Sequence, residues 1–236
     1  MRRPRLELPG VPLHITQRGV NRAAVFLDDI DCAAYLQALQ TAAQDQSVAI
    51  HGYVLMTNHV HLLVGSEMSG AVSRMMQATG RRYVRAFNAR HGRTGTLWEG
   101  RYKSCLVDSE RYLLTCLRYI ELNPVRAAMV QWPWEHRWSS VHVHLGLRPN
   151  SRITPHAAYL ALGQDAQERS AAYRALLLEP LASEQVERIR DHVRQERALG
   201  SPRFQAMVEK TLNRPACVRA AGRPRRRGTD SNDNVL

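Results

Sequence analysis

Two histidines separated by a single residue, His59 and His61, fall in a segment whose apolar pattern predicts a β-strand. Side chains two residues apart on a strand point to the same face, so both imidazoles can converge on one divalent ion. Taken alone, the pair is more typical of two solvent-facing histidines on a half-exposed strand. A metal site is therefore indicated only if other suitable side chains meet this pair.

A second group of reactive side chains lies on a helix predicted over residues 109–123. Tyr112, Tyr119 and Asn123 share a face beside its apolar stripe, and Tyr119 and Asn123, four residues apart, are direct neighbours. A phenol and an amide oxygen can therefore reach one site together. The alternative is a half-buried tyrosine, with Asn123 closing the helix before Pro124.

Together, these groups suit the cleavage of a phosphodiester. A divalent ion held by His59, His61 and Asn123 would offset the negative charge that repels a nucleophile from phosphorus. Tyr119 could then attack and displace a 3′-hydroxyl, which stores the bond energy as a phosphotyrosine. This ligand set leaves positions for water and phosphate oxygens, which predicts Mg²⁺ or Mn²⁺ as the cofactor.

The charge balance indicates a polyanionic partner, most simply nucleic acid. The 236 residues include 33 Lys and Arg against 21 Asp and Glu, a formal net charge of +12. The basic residues concentrate in regions 70–103 and 210–227, although a solvated surface would also explain them. The expected DNA-binding residues are Arg74, Arg81, Arg82, Arg85, Arg101, Lys103, Arg223, Arg225, Arg226 and Arg227.

Other protein classes lack support in the composition. No apolar stretch of the roughly 18 residues that a membrane span requires occurs, and no apolar run follows the basic start as in a secretory signal. The four cysteines form no Cys-x-x-Cys pair, which argues against a zinc ribbon. We therefore expect a cytoplasmic protein without a membrane partner.

Hydrophobic periodicity predicts the element order βαββαβα. This order favours an α+β fold with a ferredoxin-like or RRM-like antiparallel sheet, helices on one face and a helical C-terminal extension. The predicted strands cover 13–16, 48–56, 59–64 and 96–107, and the predicted helices cover 28–46, 71–90 and 109–123.

The same patterns predict three parts of the chain: a catalytic domain over 1–148, a helical extension over 149–213 and a basic, disordered tail over 214–236. In the extension, predicted helices over 183–199 and 203–212 could form a helix-turn-helix that reads DNA. A simple helical hairpin is the more common arrangement of such a pair.

Four segments resemble a known family. Residues 53–64 (YVLMTNHVHLLV) are similar to the HUH segment of single-tyrosine transposases, and residues 118–127 (RYIELNPVRA) are similar to their nucleophile helix. Residues 14–19 (HITQRG) and 97–104 (LWEGRYKS) also resemble family segments. Thr57 stands where relatives commonly carry proline, which affects the turn before the HUH strand and removes no reactive group.

Within that family, the chain most resembles REP-associated tyrosine transposases, because Asn123 stands where insertion-sequence relatives often have glutamine. The resemblance implies a ferredoxin-like fold, a divalent metal and cleavage of single-stranded DNA beside a hairpin through a 5′-phosphotyrosine. It also implies Tyr119 as the nucleophile, in preference to Tyr112, and His59, His61 and Asn123 as metal ligands.

Two other functions remain as alternatives at this point. A replication-initiator or relaxase-like HUH nickase shares the chemistry, and a catalytically silent DNA-binding regulator could descend from a transposase. For the quaternary state we expect a monomer, with a homodimer as the alternative.

Overall fold

The structure, a computed structural model, describes residues 5–109, 111–149 and 152–219. Within these residues, a five-stranded sheet has the order β2-β3-β1-β4-β5. Neighbouring strands pair antiparallel from β2 to β4, and β5 lies parallel to β4. The strands are β1 (Leu13–Arg18), β2 (Ala49–Met56), β3 (His59–Gly65), β4 (Lys103–Val107) and β5 (Ala198–Leu199).

Helices connect and cover this sheet, which confirms the predicted α+β class with a helical C-terminal region. In the described residues the helices are α1 (Asp29–Asp45), α2 (Ala71–Arg90), α3 (Leu113–Glu121), α4 (Asn123–Arg126), α5 (Val141–His144), α6 (Ala157–Leu160), α7 (Ala166–Leu178), α8 (Ser183–Gln195) and α9 (Pro202–Leu212).

The two faces of the sheet belong to two apolar clusters. On β3, Val60, Leu62 and Val64 point to the cluster that contains the buried faces of α1 and α2. Leu63 points the other way, into a cluster with residues of α3, α7 and α8. The expectation of helices on one face thus holds only for α1 and α2. Because alternate strand residues are apolar on both faces, the second face also needs a cover.

A glycine sets the distance between α3 and the sheet. A Cβ atom at Gly52 of β2 would lie 2.4 Å from Leu117 Cδ1, far inside van der Waals contact. Only glycine therefore lets α3 pack this closely against β2. The close approach places the next turn of α3, which carries Tyr119, against the neighbouring strand.

The helix predicted over 109–123 is divided in two by the structure. The helix α3 begins at Leu113 and ends at Glu121, and α4 begins at Asn123, with Pro124 in its first turn. Proline is tolerated there because the first N–H groups of a helix have no intrahelical acceptor. Residues 96–102, predicted to be extended, precede β4 as an irregular segment.

The predicted helix 183–199 also ends early. Glu196 follows α8 with a φ of 53°, a left-handed conformation that stops the helix, and Ala198–Leu199 join the sheet as β5. The connection from α8 to α9 therefore contains a strand, where a helix-turn-helix needs a short turn. The extension also shares an apolar cluster with α3, through Val186, Ile189 and Val193.

Candidate active site

The strand β3 holds His59 and His61 on the same side, as their spacing predicts. Their ring centroids are 5.1 Å apart. His61 is 7% exposed and His59 is half-buried, so both rings stand at the edge of the protein interior. The alternative interpretation, two solvent-facing histidines on a half-exposed strand, is therefore wrong.

A hydrogen-bond chain sets the tautomer of His59. The Asn58 amide nitrogen donates to the Arg22 carbonyl at 3.0 Å, so its Oδ1 must be the atom 2.7 Å from His59 Nδ1. An amide oxygen only accepts, so the proton of neutral His59 lies on Nδ1. Its Nε2 is left with a lone pair, the form that binds a metal ion.

A third histidine, His14 of β1, was missed by the sequence patterns. It is fully buried, and its Nε2 lies 2.9 Å from His61 Nδ1. When His61 donates in this bond, its Nε2 is unprotonated like that of His59. His14 Nδ1 is buried without a hydrogen-bond partner in the described residues. The bond from Nε2 to His61 is therefore the hydrogen bond that orients the His14 ring.

Burial keeps the three imidazoles neutral. Loss of hydration lowers the pKa of His59 to about 4 and that of His14 to about 3, and it brings the pKa of His61 well below 6.5. Nearby positive charge acts in the same direction, from Arg18 on His59 and from Arg126 on His14. Neutral imidazoles are the ones that can bind a metal ion near pH 7.

The helix α3 brings Tyr119 to these histidines. The centroid of its ring lies 5.8 Å from that of His61 and 5.7 Å from that of His14. The guanidinium of Arg126 stacks over the ring at 4.3 Å and donates to the Tyr119 carbonyl at 2.5 Å. The phenol is therefore held from both sides, by imidazoles and by a cation–π contact.

A buried carboxylate anchors α3, the helix that carries Tyr119. Glu121 is fully buried and accepts hydrogen bonds from the Ser140 hydroxyl at 2.5 Å, from His144 Nδ1 at 2.8 Å and from the Tyr173 hydroxyl at 2.8 Å. Ser140 directly precedes α5, His144 ends α5, and Tyr173 lies on α7. The C-terminal half of the chain therefore fixes the position of α3.

Asn123 lies beside this group without meeting the histidines. Its amide nitrogen donates to the Tyr119 carbonyl at 3.0 Å, and it does not line the cleft that Tyr119, His59 and His61 share. Tyr112 is also outside that cleft, with the Arg188 guanidinium 4.8 Å above its ring. The structure thus brings together two of the three predicted ligands and the predicted nucleophile.

The Tyr119 cleft is strongly basic and has a volume of about 740 Å³. Its acidic lining residue, Glu99, accepts from Arg18 at 2.8 Å. Lys103 and Arg101 lie in it as predicted, whereas the two arginines from α8 were not expected. The cationic lining residues are Arg18, Arg22, Arg101, Lys103, Arg190 and Arg194.

A second groove of about 780 Å³ runs along α2 and shares Gln17 and Arg101 with the Tyr119 cleft. We call it the α2 groove. Three of the predicted DNA-binding residues on α2, Arg74, Arg81 and Arg85, line it.

The remaining predicted DNA-binding residues lie elsewhere. Arg82 points away from the α2 groove, toward α1, where it pairs with Asp45 at 3.2 Å. The tail arginines lie outside the described residues; they are Arg223, Arg225, Arg226 and Arg227.

A comparison with protein families gives one informative match. The model of the family described as IS200-like transposases matches residues 9–123, which span the two histidines, the tyrosine and the first four strands. This segment, just under half of the chain, is therefore similar to the family of IS200-like transposases. A search of curated proteins finds no match.

Two solved structures are similar to this chain. One is a REP-associated tyrosine transposase bound to a REP hairpin, with 18% identity, 67% of this chain and 94% of that chain covered, and a TM-score of 0.49. The other is a transposase from Deinococcus radiodurans R1, with 20% identity, 56% and 94% covered, and a TM-score of 0.37. Because both TM-scores are below 0.5, the likeness to the transposase family rests on the match over residues 9–123.

The matched segment ends at Asn123, yet later residues lie at Tyr119 and line the same cleft. Arg126 holds the Tyr119 ring, and Arg190 and Arg194 of α8 line the cleft. In the described part of the chain, no group of three or more His, Cys, Asp or Glu side chains is arranged to hold a metal ion. None of the helices described is long and apolar enough to span a bilayer.

Proposed function

We propose that the chain is a metal-dependent enzyme that cleaves and rejoins single-stranded DNA beside hairpins, through a 5′-phosphotyrosine at Tyr119. The observation that carries this proposal is the meeting of the Tyr119 phenol with His59 and His61 in one basic cleft. The likeness of segments 53–64 and 118–127 to REP-associated tyrosine transposases supports the hairpin as the substrate. We propose the cytoplasm, where DNA is accessible, as the place of action.

His59 and His61 fit a divalent ion, because each Nε2 keeps its lone pair when the Nδ1 of the same ring donates its hydrogen bond. Asn123 is the proposed third ligand, through the amide oxygen that its bond to the Tyr119 carbonyl leaves available. Mg²⁺ or Mn²⁺ bound there would polarise the scissile phosphate and offset the charge that develops on it.

The residues of the chain carry the rest of the reaction. Tyr119 Oη attacks phosphorus and the P–O3′ bond breaks, so the phosphate stays on the 5′ end. The proton lost by the phenol is balanced by the one gained by the departing 3′-oxygen, and a second 3′-hydroxyl reverses the step to join DNA. The cationic walls of the cleft hold the flanking phosphates.

The DNA would continue from the cleft into the α2 groove, because the two share Gln17 and Arg101. Arg74, Arg81 and Arg85 would contact backbone phosphates there. Since one chain supplies both the phenol and the imidazoles, we favour a monomer as the functional unit over a homodimer.

The proposal is tested with a labelled single-stranded DNA containing a hairpin, incubated with the chain and Mn²⁺ and resolved on a denaturing gel. We expect a covalent protein–DNA adduct, which Tyr119→Phe abolishes. Tyr112→Phe is the matched control and retains the adduct, because Tyr112 packs under Arg188 outside the cleft.

An adduct with Tyr119→Phe but not with Tyr112→Phe would move the nucleophile to the other tyrosine. Binding of the hairpin without an adduct, on a panel of palindromic sequences, would favour the silent DNA-binding regulator.

A further inference from the structure

The helix α8 places an arginine beside the proposed nucleophile. Hydrogen bonds to the Glu187 carboxylate and to the Tyr119 side chain raise the pKa of Arg190 above its ordinary value. Arg190 also lines the same cleft as Tyr119, His59 and His61. Since α8 lies about seventy residues beyond Tyr119 in the sequence and outside the family match, no motif in the chain marks this contact.

The two arginines at Tyr119 differ in what they can do. Arg126 is engaged by the protein: it stacks on the Tyr119 ring and donates to the carbonyl of the same residue. It also does not line the cleft, and burial lowers its pKa. Arg126 therefore holds the phenol in place, and a different cationic residue must contact the DNA phosphate.

Arg190 is the cation available to a substrate. Its side chain is 52% exposed, and its partner Glu187, three residues earlier on α8, is 61% exposed. An exposed pair of this kind contributes little stability, so the guanidinium can exchange the carboxylate for a phosphate at small cost. Two parallel N–H groups of arginine match two oxygens of a phosphate.

We propose that Arg190 is a catalytic residue that binds the non-bridging oxygens of the scissile phosphate while Tyr119 attacks. This inference rests on the proposed function. As the Tyr119 Oη–P bond forms and the P–O3′ bond breaks, negative charge grows on the two non-bridging oxygens. A guanidinium that lines the same cleft as the phenol is placed to stabilise that charge. The Arg190 guanidinium would stay bound to the phosphate of the 5′-phosphotyrosine and would stabilise the same charge in the reverse step.

The neighbouring Arg194 provides an internal comparison. It lies one helical turn later on α8 and lines the same cleft, but it pairs with Asp191 at 2.7 Å. Arg194 is therefore placed for flanking phosphates, where an arginine supplies salt-dependent affinity and no acceleration of the chemical step.

The test measures the single-turnover rate of adduct formation at saturating hairpin DNA, together with DNA affinity in a Tyr119→Phe background. We expect Arg190→Gln to lower the rate by about 10²-fold, the typical effect of removing one donor to a developing oxyanion. Affinity should fall less than tenfold, and Arg190→Lys should recover part of the rate because it restores the charge without the paired donors.

Two controls separate a catalytic effect from others. Arg194→Gln should weaken binding more than it slows the saturated reaction. Arg203→Gln, on the exposed face of α9 outside the cleft, matches the loss of charge and should leave the rate unchanged.

A rate for Arg190→Gln within twofold of wild type, or an equal loss in Arg203→Gln, would overturn the role of Arg190 alone. Absence of any adduct with the wild-type chain would overturn the proposed function, and with it this inference.

Discussion

His14 Nε2 lies 2.9 Å from His61 Nδ1, with His14 0% and His61 7% exposed. The two residues are 47 positions apart in sequence and meet because β1 and β3 pair antiparallel, with Thr16 opposite His61. The bond holds the ring of a proposed metal ligand in one orientation. Partners of this kind strengthen metal binding without touching the ion.

Removal of this partner should weaken metal binding. His14→Phe leaves His61 free to rotate and to change tautomer, so we expect Mn²⁺ affinity to fall by about 10- to 100-fold. Isothermal titration of Mn²⁺ into the full chain without DNA measures this directly. His51→Gln, at a buried histidine bonded to the Thr154 carbonyl, should bind Mn²⁺ like wild type. An unchanged dissociation constant in His14→Phe would contradict the role.

The arginines of α2 should divide into two classes in their effect on DNA binding. Neutralising Arg81 and Arg85, which line the α2 groove, should reduce the slope of log affinity against log salt by about 1.5 to 2. Arg82→Gln should leave the slope unchanged, because Arg82 pairs with Asp45 on the other side of the helix. Fluorescence anisotropy of a labelled DNA hairpin across a salt series checks both. Equal slopes in all variants would exclude the groove as a phosphate track.

The hydrogen-bond network at Glu121 should dominate the stability of α3, the helix that carries Tyr119. Glu121→Ala removes the acceptor of three buried donors, and only the Ser140 hydroxyl keeps another, the Tyr53 carbonyl at 3.2 Å. We expect the loss to cost about 3–5 kcal/mol in the free energy of unfolding. Asp45→Ala removes an exposed carboxylate and should cost at most about 1 kcal/mol. Urea denaturation monitored by circular dichroism gives both values. A loss in Glu121→Ala no larger than that in Asp45→Ala would argue against the network as the anchor.

Acid should destabilise the protein between roughly pH 6.5 and 4. Burial lowers the pKa of His14 to about 3 and those of His51 and His59 to about 4, against 6.5 for the free side chain. The unfolded chain therefore binds more protons over this range, and stability that is fully present above pH 6.5 is lost as the pH falls.

We expect His51 to account for about 1–2 kcal/mol of the difference in unfolding free energy between pH 7 and pH 5. Urea titrations of wild type and His51→Gln at the two pH values measure it. The difference should be smaller in the variant. An equal difference would show that His51 does not contribute to the acid sensitivity.

Much of the fold was readable from local patterns. The helix α2 has the predicted bounds, and α1 follows Asp28, whose carboxylate caps it by accepting from Ile30 and Asp31. Apolar alternation located β2 and β3 to within one residue at each end. These features depend on interactions within a few residues, so periodicity and capping residues are sufficient to find them.

Other elements depended on distant partners. The strand β5 has two residues and exists because Leu106 and Val107 of β4 pair with it. The same residues, Ala198 and Leu199, are residue types with high helix propensity that follow α8 closely in the sequence, so no local signal distinguishes strand from helix there.

The sequence by itself determined the proposed kind of chemistry, since the residue types of His59, His61 and Tyr119 and their spacing do not depend on the rest of the fold. Tertiary structure decided which further side chains reach them. His14 arrives through the pairing of β1 with β3, and Arg190 arrives because α8 packs against the sheet in the apolar cluster that also contains α3. Contacts between groups so far apart along the chain are set by strand order and by the shape of the core, and neither leaves a mark in a local pattern of residues.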